Sequence, residues 1–96
     1  MGFFFSTNKY STKPHQLSKQ TIEALVSRTK VNSLDGVEES EVEGALDDRR
    51  GSDGKMSLQQ IYDELTRLKN LNKISSADKN GLMRVFEKYF TQHFNK

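Results

Sequence analysis

Two histidines, His15 and His93, are the only side chains whose ordinary pKa lies near neutrality in this chain of 96 residues. Neither has a second metal-ligating residue at a useful spacing, and the absence of cysteine excludes thiolate metal sites, redox pairs and disulfide scaffolds. No nucleophile motif, dinucleotide-binding G-x-G-x-x-G or phosphate loop occurs. The glycines Gly36, Gly44, Gly51 and Gly54 read as turn punctuation. The expectation is a non-enzyme with no catalytic residue, no cofactor and no metal site.

One spacing carries oxygen-ligand chemistry. Ser76, Asp78 and Asn80 alternate ahead of Gly81, Met83 and Glu87, and this order resembles an EF-hand loop. Asp53-Gly54-Lys55-Met56-Ser57 resembles the second half of another, and LSKQTIEAL resembles the opening helix of some EF-hand calcium sensors. The resemblance implies calcium, but the residues depart from the pattern. Arg49 stands where a leading Asp belongs, Gln60 where a bidentate Glu belongs, and Ser76 leads the second loop. Met56 and Met83 are also too close for two full EF-hands with their helices. A helix cap over residues 75–78 accounts for the same side chains, so calcium is not an expected partner.

The elements that would position these residues are helical. From residue 56 to 94 the chain reads as two amphipathic helices joined by a capped turn. Ser57 and Gln60 form a capping box, with Met56 and Ile61 as a hydrophobic staple. Leu58, Ile61, Tyr62, Leu65 and Leu68 follow as one stripe. Ser75 and Asp78 repeat the box, with Ile74 in the staple position. Leu82, Val85, Phe86, Tyr89, Phe90 and Phe94 then occupy a broad face. Gly81 weakens the start, which puts the firm helix at Leu82. Leu65 and Phe86 are expected in one core, and His93 as a core or interface histidine.

Upstream, Leu17 and Ile22 flank Ser18 as a third staple, predicting a helix over residues 18–29 on Ile22, Leu25 and Val26. Val42, Ala45 and Leu46 suit a shorter helix, with Glu38, Glu39 and Glu41 before it and Arg49 and Arg50 after it matching the helix dipole. DDRRGSDG reads as a loop. Residues 1–16 show no period and read as a flexible arm. Within it Gly2 with Ser6 formally matches an N-myristoylation pattern, although Phe3 after the glycine is a poor context for it. No apolar run reaches the length of a membrane span, and Phe3–Phe5 is far too short for a secretory core.

Charge is segregated. Residues 1–33 carry five basic and one acidic side chain, residues 34–54 two and eight, and residues 55–96 eight and four. A solvated face or an acidic middle folded back on the basic ends explains this structurally; an acidic surface offered to a basic partner explains it functionally. A helix-turn-helix reading places Lys79, Asn80 and Arg84 at the front of a recognition helix. The net charge of only +2 and the position of Asp78 against phosphate weigh against it.

The sequence therefore predicts an all-α, three- or four-helix domain over residues 17–96, built on a C-terminal helical hairpin, with an acidic loop region at 34–54. The function expected by elimination is a cytoplasmic protein–protein interaction module: an adaptor, chaperone-like or regulatory subunit. Its partner would be another protein or a second copy of the chain, with nucleic acid the next alternative. The expected interface residues are the aromatic anchors Phe3, Phe4, Phe5, Tyr89, Phe90 and Phe94.

Overall fold

A computed structural model describes residues 10–28 and 36–94. Four helices and one two-stranded antiparallel sheet follow in the order β1 (His15–Gln16), α1 (Lys19–Arg28), α2 (Gly36–Arg49), β2 (Lys55–Met56), α3 (Leu58–Asn70) and α4 (Ser76–Phe94). His15 pairs with Met56 and Gln16 with Lys55. The fold is a small all-helical domain, and its C-terminal half is the predicted hairpin.

Each helix start that the caps predicted is present. Ser18 Oγ accepts the Thr21 N–H at 3.1 Å, opening α1. Ser57 and Gln60 form both bonds of a capping box on α3, and Met56 and Ile61 are buried beside it. Ser57→Ala is expected to cost about 0.5–2 kcal/mol in a urea titration, because a first-turn N–H loses its acceptor. Wild-type stability would show that the Gln60 half of the box suffices.

The Ser75 N–H donates to Asp78 Oδ2 and the Asp78 N–H to Ser75 Oγ, each at 3.0 Å. This second box starts α4 at Ser76 rather than at Leu82. The cap satisfies the first turn, so Gly81 is carried inside the helix at a cost of about 1 kcal/mol relative to Ala.

The turn between α3 and α4 has its own chemistry. Asn72 lies in the left-handed region at φ 62°, where Asn is among the better-tolerated side chains. Its N–H donates to the Lys69 carbonyl and the Lys73 N–H to the Leu68 carbonyl, closing α3 as a Schellman motif. That geometry turns the cap residue Leu71 outward, 54% exposed.

One core joins all four helices: Leu17, Ile22, Leu25 and Val26; Val42 and Leu46; Leu58, Ile61, Leu65 and Leu68; and Leu82, Met83, Phe86 and Phe90. Leu65 and Phe86 are both fully buried in it. The acidic loop region at 34–54 holds the helix expected on Val42, Ala45 and Leu46, and this α2 runs on through residues 47–49, read as loop, because Val42 and Leu46 anchor it in the core. Glu38 and Glu39 in its first turn and Arg49 in its last suit the helix dipole.

Residues 10–16, read as part of a flexible arm, run against the domain. The Tyr10 N–H donates to Gln59 Oε1 at 2.7 Å, the Gln59 N–H to the Ser11 carbonyl at 3.0 Å, and β1 pairs with β2. No described helix is long and apolar enough to cross a membrane.

Candidate functional site

The aromatic end of α4 does not match the interface expected of it. Phe90 is fully buried and Tyr89 and Phe94 are half-buried, so Phe90 is a core residue and not an interface anchor. The reason is that α4 packs against both α1 and α3, and two neighbours cover a broader stripe than one. His15 on β1 completes the cover. Its ring stacks on Phe94 with centroids 4.3 Å apart and meets Phe90 edge-on at 5.9 Å. His93, expected inside, is exposed and stacks on Tyr89 at 4.2 Å. Of the predicted anchors, Tyr89 and Phe94 remain partly accessible, while Phe3, Phe4 and Phe5 lie outside the described residues.

Neither loop that resembled an EF-hand gathers oxygen ligands. Residues 76–87 lie within α4, whose helical backbone sends alternating side chains to different faces and cannot wrap them around one cation, and Asp78 is its buried N-terminal cap partner. The α2–α3 loop is closer in shape, with Gly54 left-handed at φ 77°. A side chain there would also collide with the Gln16 amide, 2.6 Å from an added Cβ. The loop is closed by its own bonds: the Gly51 N–H to the Lys55 carbonyl, the Gly54 N–H to the Gly51 carbonyl, and the Lys55 N–H to Asp53 Oδ1. Among the described residues no group of three or more His, Asp or Glu side chains is placed to hold a metal.

The helix-turn-helix residues divide. Lys79 sets its ammonium 4.9 Å from the centre of the Tyr62 ring, a cation–π contact that draws it toward α3. Arg84 stays outward, beside Glu87, Lys88, Thr91 and Gln92 on the open face of α4. No continuous basic track forms there among the described residues.

The outward side of α2 holds what the sequence did not single out. Between α2 and the end of α3 lies a groove of about 480 Å³, lined by Val37, Ala45, Leu68 and Leu71 together with polar residues. Val37 and Leu71 are the exposed large hydrophobic residues of the described chain, at 73% and 54%. Lys73 Nζ pairs with Glu41 at 3.6 Å between the two walls, and Arg67 bonds buried Glu64. On the other flank of α2 a second groove of about 270 Å³ is lined by Glu23, Glu43, Asp47 and Asp48, with Lys19 as the cation of its lining. Asp47 is engaged by Arg50 at 2.7 Å.

The acidic groove has a measurable consequence. Partial burial pushes the Glu43 carboxyl above its usual range, the charges of Glu23 and Glu39 push it further, and Lys19 opposes them. A carboxyl raised by folding stabilises the fold at low pH, and this contribution is lost as pH rises through its folded-state value. The part of this shift that comes from Glu23 and Glu39 is the part a nearby cation would offset.

Val37 and Leu71 escaped the sequence reading because neither belongs to a helical stripe. The available signal was their very isolation, a lone apolar residue just inside one helix start and another just beyond one helix end. In comparisons with protein-family models, with curated proteins and with solved structures, this chain matches none.

Proposed function

We propose that the chain is a non-enzymatic protein–protein interaction module of the cytoplasm, acting as an adaptor, chaperone-like or regulatory subunit on another protein or on a second copy of itself. The observation that supports this reading is the outward side of α2. It combines unbalanced acidic charge with exposed Val37 and Leu71 on an otherwise well-covered core. Isolated exposed apolar residues are ordinary; two on the rim of one groove beside an excess of carboxylates support a surface complementary to a basic partner.

The test is chemical crosslinking of the full chain in extract of its native host, read by mass spectrometry. The expected result is one protein, or the chain itself, crosslinked reproducibly at a defined set of positions. A chain that sediments as a monomer in that extract, with crosslinks scattered over abundant proteins, overturns the reading.

A further inference from the structure

We propose that the two grooves flanking α2 form one seat for a basic amphipathic helix of another protein. Its apolar side chains enter the α2–α3 groove and its Lys or Arg side chains reach the carboxylates of the α1–α2 groove. The proposal rests on the interaction-module reading and specifies the partner's chemistry.

The grooves are continuous. Ser40, Gly44 and Asp48, one turn apart along α2, line both of them. The ridge between them is low because Gly44 has no side chain, and nothing within the described protein requires that. Gly44 is not in the left-handed region, and a Cβ added there meets nothing within 4 Å. A glycine inside a helix costs stability relative to alanine. Its use here is external, since a partner's backbone can approach α2 closely over the gap.

The chemistry of the two sides differs. Val37 and Leu71 rim the α2–α3 groove, with Ala45 and Leu68 among its lining residues, and this suits the apolar stripe of a helix laid lengthwise. The cations on that side are engaged, Arg67 by Glu64 and Lys73 by Glu41. The α1–α2 groove sets Glu23, Glu43 and Asp48 against Lys19, beside the Asp47–Arg50 pair. Burial is the main cause that raises Glu43; the charges of Glu23 and Glu39 add to it, and that added part is what a partner's cations would offset. An acidic segment or a nucleic-acid backbone is repelled. A second copy offers Arg84 and Lys88 on α4 beside half-buried Val85 and Tyr89, and the oligomeric state of the free chain distinguishes that occupant.

The probe is a synthetic Leu/Lys amphipathic helix of about 18 residues, five turns long, titrated into the isotope-labelled full chain. Controls are the Leu/Glu counterpart and a scrambled peptide of the same composition. Saturable amide shifts centred on Val37, Ser40, Gly44 and Leu71 are expected for Leu/Lys alone. Gly44→Arg fills the ridge and adds a cation in open space; Leu71→Asp changes the far lip. Each is expected to weaken binding at least tenfold with an unchanged circular dichroism spectrum. Should one fail to fold, the other carries the same test.

Equal binding of the Leu/Glu or scrambled peptide, shifts centred on α4, or unchanged affinity in the variants overturns the seat. So does a dimer of the free chain abolished by Gly44→Arg, which assigns the surface to a second copy. Native-extract crosslinks confined to Lys79 and Lys88 on α4 remove this seat while keeping the interaction-module reading. Absence of both crosslinks and peptide binding removes the two together.

Discussion

Phe86→Ala and Phe90→Ala are each expected to lower the unfolding free energy by about 3–5 kcal/mol, through lost burial and the cavity left behind. Both rings are fully buried in the core that joins α4 to α1, α2 and α3. A small domain has only about 5–15 kcal/mol of stability in total, so either change consumes a large share of it. The informative comparison is with Tyr89→Ala and Phe94→Ala. Those rings are only half-buried and stack on His93 and His15, so their truncation is expected to cost distinctly less. Urea unfolding of the four variants checks the order. A Phe90→Ala chain as stable as wild type, but altered in association, would return Phe90 to the interface from which its burial removes it.

The difference between Phe90 and its neighbours shows what was legible in the sequence. Signals that act within one helical turn were legible: the boxes Ser57–Gln60 and Ser75–Asp78, the Ser18 cap, and the Leu58–Leu68 stripe. Each depends on residues three or four positions apart, so no knowledge of the fold is needed. The number of neighbours a helix has does depend on the fold. A single neighbour would leave much of α4's apolar side free, whereas α1 and α3 together bury Leu82, Phe86 and Phe90.

The pairing of His15 with Met56 was hidden for the same reason. A two-residue strand has no period, and its partner is distant in sequence. The candidate surface on α2 was the least legible part. Gly44 reads as a turn residue until α2 is seen to pass through it, and Leu71 lies where the stripe has already broken, so only the turn at Asn72 shows that it points outward. The segregated charge was visible from composition. That its acidic part lies along one helix, beside a groove with apolar lips, is a property of packing.

Arg50→Ala is expected to cost about 1.5–3 kcal/mol, the range for hydrogen bonds made by a charged group. The loss should concentrate on the way α1 is held. Arg50 Nη1 donates to the Leu17 carbonyl at 2.8 Å and Nη2 to Asp47 Oδ1 at 2.7 Å, so one planar guanidinium ties the residue before the α1 cap to the end of α2. Leu17 itself is buried, and its N–H is already committed to the Gly54 carbonyl. Without Arg50 the Leu17 carbonyl loses this donor at a partly buried position. Asp47 then joins the other unbalanced carboxylates of the acidic groove. Lysine offers a point charge instead of a fork and cannot reproduce both bonds, so Arg50→Lys should recover only part of the loss.

Asp47→Asn tests the apportionment. If the carbonyl contact dominates, Asp47→Asn costs little alone, and Arg50→Ala costs nearly its full amount when added to that variant. Hydrogen exchange provides the second readout. Amides of α1 are expected to exchange faster in Arg50→Ala, while those of α3 change only as global stability changes. Equal acceleration throughout, or stability within error of wild type, would show that the apolar contacts of Leu17, Ile22, Leu25 and Val26 hold α1 without the latch.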